Sequence, residues 1–251
     1  MERAALAVVR EPTVLIVVPV HNEERDLERG VRRLRAYLDA CFPFHTTVTI
    51  ADNASTDATS EIGSRLAEEI DGVRYMRISD RRRGRALAAA WLISRADVLA
   101  CVNVDLSADL SALLPLVAPL ISGHSDLATG RRRAAGARAG RGIWPRLVAR
   151  CYIAILRMAL GARFKDPRCS LKAIRREAAH RLIPEVEDRD RFFDTELLVL
   201  AERAGLRIQE VPIDQEMDPD FDTTLEDIAG VWRLMRRRRE SRLKVMTADG
   251  A

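Results

Sequence analysis

A continuous apolar run, Val14 to Val20, constrains this chain more than any other feature. A strand-length run rich in β-branched residues marks a central strand of a parallel sheet, buried on both faces. It ends in Pro19-Val20-His21-Asn22-Glu23-Glu24. Asn22 is expected to cap the next helix, and the two glutamates suit its first turn. Leu27, Val31, Leu34, Leu38 and Cys41 then recur at helical spacing. The alternation repeats along the first half. Strands are expected at Thr47–Ala51, Val73–Ile78, Val98–Val104 and Asp126–Gly130. Helices are expected after a Ser55 or Thr56 cap, over Ala86–Ser94 behind Gly84, and from Ser107 or Asp109 to about Leu120. This pattern predicts an α/β fold of parallel strands joined by right-handed crossovers.

Two acids sit just after such strands, Asp52 in IADNASTDAT and Asp105 in VNVDLSADL. In an open α/β sheet, ligands bind beyond the carboxyl ends of the strands. Acids there hold the polar edge of a nucleotide base or a divalent cation. They are poor partners for bare phosphate, so a metal must stand between carboxylate and diphosphate. The arrangement points to a nucleotide-sugar site rather than a simple phosphate site.

The second half changes character. Residues 131–142, rich in Arg, Ala and Gly, lack an apolar period and read as a mobile loop. Trp144, Leu147, Val148, Cys151, Ile155 and Met158 then fall on one helical face, and Arg146, Arg150 and Arg157 on another. Such a helix suits a membrane interface, with its arginines at lipid phosphates, or packs on the sheet with a solvated rim. A strand (Cys169–Ile174), two helices (Arg175–Leu182 and Phe192–Ala204), a strand (Arg207–Ile213) and a helix through Leu225, Ile228, Trp232 and Met235 complete the chain.

At 251 residues the chain is long enough to bury a full core. No apolar run approaches the roughly 20 residues that span a bilayer. The opening MERAALAVVREP is too short and too charged for a signal peptide, so the expected location is the cytoplasm, with peripheral contact to the inner face of the membrane. Net charge is only +4, yet arginines gather at 81–83, 131–133, 138–150 and 236–239. Those clusters are either solvated faces or a place for an anionic partner. Nucleic acid is not the expected partner, because the basic stretches lack interleaved aromatics and aromatic content is 5%. Cys41, Cys101, Cys151 and Cys169 have no CxxC spacing and read as reduced thiols.

The ordered series VVPVHNEE, ADNASTDAT, RRRGRALAAAW, VNVDLS and FFDTELL resembles the inverting family 2 glycosyltransferases of GT-A fold, over about residues 13–215. GRRR after the fifth strand, DPRCSLKAIRR and FDTELL bring the likeness closest to polyprenyl-phosphate (dolichyl-phosphate) mannose or glucose synthases. The resemblance implies a Rossmann-like, mostly parallel sheet flanked by helices over residues 1–215. An acceptor loop and amphipathic helix are inserted at 131–163, and a helical tail covers 216–251. It implies that Pro19, His21, Glu23, Asp52, Asn53, Arg83, Arg85 and Asn103 line the donor site. Asp105 would hold Mg²⁺ or Mn²⁺, with Ser107 assisting. The usual Asp-x-Asp reads Asn103-Val104-Asp105 here, and Ser170 stands where relatives often carry glycine.

For a hydroxyl acceptor, a general base is needed, and Asp194 and Glu196 are the candidates. Helix capping is the structural alternative for Asp194. For a polyprenyl phosphate the nucleophile is already anionic, and Arg131, Arg133 and Lys172 suit its phosphate, with Asp166 holding one of these cations in place. The expected reaction moves a hexose from GDP-mannose or UDP-glucose to a polyprenyl phosphate at a membrane surface. Its rivals are a soluble family 2 transferase acting on a hydroxyl and a non-catalytic nucleotide-sugar-binding module.

Overall fold

The computed structural model describes residues 10–105, 110–132, 143–213, 227 and 229–236, with only the backbone of 143–150. Seven strands form one sheet in the order β3-β2-β1-β4-β6-β5-β7. They are β1 (Thr13–Val20), β2 (His45–Asn53), β3 (Val73–Ile78), β4 (Val98–Cys101), β5 (Leu127–Arg132), β6 (Lys172–Arg175) and β7 (Ile208–Ile213). β1 pairs in parallel with β2 and β4, β2 with β3, and β5 with β7. β6 alone is reversed, antiparallel to both β4 and β5. Its first residue, Lys172, therefore lies at the edge where the other strands end.

The continuous apolar run of β1 follows from the layering. Val14, Ile16 and Val18 face one core, covered by α1 (Leu27–Cys41), α2 (Thr59–Glu69) and α4 (Leu113–Ile121). Leu15 and Val17 face a second core, covered by α3 (Arg83–Ile93), α5 (Ile143–Leu160), α6 (Arg176–Leu182) and α7 (Phe193–Arg203). Side chains alternate across a strand, so both parities must be apolar. Each fully buried Leu or Ile contributes about 1.5–3 kcal/mol of transfer free energy. Trp91 is fully buried on α3 and donates its indole N–H to the Ala100 carbonyl at 3.4 Å.

Several expectations need correction. β4 stops at Cys101 rather than Val104, although the Val102 amide still donates to the Val17 carbonyl at 3.0 Å. Asn22 does not cap α1, which starts at Leu27 behind Asp26; its φ of 55° turns the chain toward β2 instead. α2 begins at Thr59, beyond Ser55 and Thr56, and no side chain caps it. A 3-10 turn at Leu110–Ala112 precedes α4, and Ser107 lies outside the described residues. The loop expected at 131–142 loses its first two residues to β5, and the remainder lies outside the described residues.

Helix α5 shows the largest difference. Its core-facing line is Tyr152, Leu156 and Leu160, whereas Cys151, Ile155 and Met158 from the expected apolar stripe are exposed. The two lines are adjacent on the helix, one residue out of phase. Periodicity alone does not say which of two neighbouring apolar stripes meets the sheet. No helix among the described residues is long and apolar enough to cross a membrane.

Candidate functional site

The carboxyl edge brings together the loops after β1, β2 and β4, the start of β6 and the start of α7. The first two loops are stitched to each other. The Asn22 amide donates to Ser55 Oγ at 3.1 Å, and the Thr56 amide donates back to Asn22 Oδ1 at 2.8 Å. The Glu23 amide donates to Thr59 Oγ1 at 2.8 Å, and the Ala58 amide to Glu24 Oε2 at 3.1 Å. His21 Nδ1 lies 2.8 Å from the Asn53 carbonyl oxygen. Pro19 is buried beneath this seam. These bonds satisfy loop amides that no strand or helix pairs.

Asp52 is fully buried, and both of its oxygens are engaged. Oδ1 accepts from the Ser55 amide at 2.8 Å, and Oδ2 from the Tyr75 hydroxyl at 2.5 Å. Burial and the bond to Asp52 push the Tyr75 phenol up to about 12. The Tyr75 ring occupies the space a side chain at Gly63 would need, 2.6 Å from the position of a Cβ. Asp52 thus braces the turn after β2. Its neighbour Asn53 has a buried Oδ1 with no hydrogen-bond partner.

Negative charge gathers at the mouth of the site. Burial raises the pKa of Glu23, and Asp26, Asp105 and Asp57 raise it further. Asp105 is exposed at the end of the β4 segment. Behind it, α1 carries Gly30, whose missing side chain makes room for the Val104 carbonyl. Any Cβ at 30 would displace the Val104–Asp105 backbone. Among the described residues no cluster of three or more metal-binding side chains is preformed. The acid corner fits a cation that takes a few protein oxygens and completes its shell with diphosphate oxygens and water, as Mg²⁺ does.

Deeper in the site lies a group of cations. Arg83 Nη1 donates to Asp194 Oδ2 at 2.8 Å, and its Nη2 lies 3.4 Å from Asn103 Oδ1 and 3.5 Å from Cys101 Sγ. Burial disfavours the Arg83 cation, but the Asp194 carboxylate, joined by Cys101 once that thiol ionises in the alkaline range, outweighs it and holds the guanidinium above its ordinary pKa. The Lys172 ammonium is 3.5 Å from Asp194 Oδ1 and also donates to the Cys169 carbonyl. Its side chain is 2% exposed, a burial that lysine tolerates only when paired. Burial pushes the thiols of Cys101 and Cys169 up to about 11, so both stay protonated. All four cysteines are free.

The structure therefore joins Arg83, Asn103, Lys172 and Asp194 into one cluster. Arg85 is apart from it, exposed and paired with Asp80 at 2.9 Å. Asp194 is not a cap, since no side chain caps α7. Glu196 is fully buried and accepts the Asp188 amide at 2.9 Å, which secures the preceding loop. Arg131 is half-buried in β5, and Arg133 lies outside the described residues.

Sequence reasoning missed Arg132. Its Nε and Nη2 each reach Asp166 at 2.7 Å, and its amide donates to the same carboxylate at 3.1 Å. Asp166 does hold a cation of this stretch, but the middle one. Strand alternation was the available signal, because Arg132 must point to the face opposite Arg131.

A family model described as Glycosyl transferase family 2 matches residues 15–183. The glycosyltransferase AglD of Haloferax volcanii is 36% identical over 98% of this chain and 41% of its own length. A dolichyl-phosphate beta-glucosyltransferase of Saccharomyces cerevisiae is 24% identical over 79% of this chain and 65% of its own length. The chain thus spans less than two thirds of either relative. Among solved structures, glucosyl-3-phosphoglycerate synthase from Mycobacterium tuberculosis, in complex with Mn²⁺, UDP and glucosyl-3-phosphoglycerate, superposes with a TM-score of 0.58. It is 21% identical, with 88% of this chain and 76% of that one covered, a likeness of fold.

Proposed function

The chain belongs to glycosyl transferase family 2, and on that premise we propose that it moves a hexose from a nucleotide-sugar donor to a polyprenyl phosphate, inverting the anomeric carbon. One observation carries the choice of acceptor. Both candidate bases are already engaged, Asp194 between two cations and Glu196 with a backbone amide. An acceptor that arrives as an anion needs no base. Its phosphate oxygen attacks the anomeric carbon in line, the bond from that carbon to the nucleoside diphosphate breaks, and no proton has to move. The dolichyl-phosphate specificity in the yeast relative's name agrees with this acceptor class.

The parts divide as follows. The loops carrying His21, Glu23 and Asn53 bind the nucleoside, with Asp52 fixing their shape. Asp105 and Glu23 would hold Mg²⁺ or Mn²⁺, which when bound neutralises charge developing on the leaving diphosphate. A protein of the same fold holds Mn²⁺ with UDP, in keeping with that role. Arg83, held by Asp194 beside the buried Lys172, presents its guanidinium to substrate phosphate, and Arg131 assists with the acceptor. The exposed Ile155, Met158, Trp232 and Met235, with Arg157 and Arg236 beside them, suit a lipid surface where such an acceptor resides.

The rival is a water-soluble hydroxyl acceptor, and one observation favours it: Glu23 has a raised pKa at the mouth of the site, as a general base often does. The deciding experiment incubates radiolabelled GDP-mannose and UDP-glucose with a polyprenyl phosphate in detergent and, separately, with soluble sugars and phosphorylated metabolites. Label entering the organic phase supports the proposal. Label transferred only to soluble hydroxyls overturns it.

A further inference from the structure

We propose that Asp194 is a positioning residue rather than a proton acceptor, and that Asn103 leaves the cluster around it one positive charge in excess, which a phosphate oxyanion of the substrate completes. The inference rests on the cleft binding phosphate groups, as in the reading above, and goes on to name the residues that set the cleft's charge.

The geometry is a three-way junction. Arg83 comes from the start of α3, Lys172 from the start of β6 and Asp194 from the start of α7. Each Asp194 oxygen faces one cation, Oδ2 the guanidinium at 2.8 Å and Oδ1 the ammonium at 3.5 Å. A carboxylate shared this way fixes two cations side by side. Taking up a proton would break one of the pairs. The side chain is 11% exposed, while Arg83 remains 33% exposed, so the guanidinium is the member open to the cleft.

The charge count follows. Arg83 and Lys172 both lie against Asp194, two cations on one anion. Asn103 sits where its Oδ1 meets Arg83 Nη2 at 3.4 Å, so a carboxylate there would neutralise the group. The amide gives Arg83 a weak acceptor and leaves its charge uncompensated. A surplus positive charge at the partly exposed Arg83 attracts an opposite charge from the cleft, which makes the cluster a receptor for an oxyanion. The gap left at the Asp-x-Asp motif thereby becomes a gain in phosphate attraction, at the expense of one carboxylate for the metal.

Phosphate oxygens could come from the donor diphosphate or from the acceptor, and the test separates them. Calorimetric titration in EDTA measures binding of GDP and UDP, and of a short-chain isoprenyl monophosphate, to the whole protein and to Asn103→Asp. That substitution is close to isosteric, and an unchanged melting temperature checks the fold. Without metal, Asn103→Asp is expected to weaken binding about tenfold for whichever ligand supplies the oxyanion, since one charge is cancelled at ion-pair distance. Equal or tighter binding of all three ligands overturns the inference.

Asp194→Asn supplies the second readout. A positioning role predicts a raised KM with the pH dependence of turnover unmoved. Loss of kcat by about a hundredfold or more together with loss of the acidic limb, at unchanged KM, would identify Asp194 as the base and sink the proposal. A protein that binds neither nucleotide nor isoprenyl phosphate would sink the reading of the cleft itself. Binding that ignores Asn103→Asp would sink only this inference.

Discussion

The two sides of the carboxyl edge are held by different forces. On the β1–β3 side, loops are joined by hydrogen bonds from backbone amides to Asn22, Ser55, Thr59 and Asp52. Polar groups there are mostly used up in building the loops. On the β4–β6 side, Arg83, Lys172 and Asp194 come from three distant segments and meet as ions. The first side presents a finished surface, and the second keeps unspent charge. That contrast matches the proposed division between a nucleoside, which needs a shape, and substrate phosphate, which needs a field.

The sharpest test lies between the two sides. Asp105→Ala should lower turnover by about a thousandfold, because the charge it holds in place lowers the barrier by several kcal/mol. Circular dichroism should stay native, since Asp105 is exposed. Turnover within tenfold of the parent would remove Asp105 from the site.

A smaller effect compares how the sides are held. Lys172→Met removes the buried ammonium and its contacts but leaves Asp194 paired with Arg83, and should cost about 2 kcal/mol. For a chain this size that is a drop in Tm of roughly 4–8 °C. A Tm within a degree of the parent would mean the ionic side is not structural.

On the stitched side, Tyr75→Phe removes the hydroxyl that Asp52 accepts and should cost about 1 kcal/mol. The pH dependence has a defined sign. The folded phenol titrates at about 12 against an ordinary value of 10.0. A raised acid stabilises the fold while protonated, so its contribution is whole below pH 10 and fades as pH rises toward 12. Urea unfolding at pH 8 and pH 11 should therefore show a wider gap for the parent than for Tyr75→Phe. Equal gaps would mean the bond is not made in solution.

The smallest effect on stability is expected for Met158→Ser. Met158 is 81% exposed, so the change should be within about 0.5 kcal/mol. Capture on anionic lipid vesicles should nevertheless fall several-fold. Unchanged capture would detach α5 from the membrane reading.

What could be read from the sequence divides along the same line. β1 was legible because a buried parallel strand writes itself as an unbroken apolar run, and the strand-tip acids were legible from their place after such runs. What Asp52 does there was not, because its partner Tyr75 is contributed by another strand, 23 residues away. Asp194 could be picked out but not interpreted, since Arg83 lies 111 residues before it. The apolar stripe of α5 left two placements open for a related reason. A helix with two neighbouring apolar lines carries no mark of which one meets the sheet, and only the packing of Tyr152 and Leu156 decides it. Local chemistry is written locally, while roles set by long-range pairing are not.

The single reversed strand has an architectural consequence. Because β6 runs against its neighbours, the chain leaves the cleft at the end of β5 and re-enters it at Lys172. The connection between these two points carries α5, whose Tyr152, Leu156 and Leu160 cover one layer of the sheet, and Asp166, which grips Arg132 at the end of β5. One inverted strand thus ties the rim of the cleft to the layer beneath it, and a change in that connection reaches the rim through the core as well as along the chain.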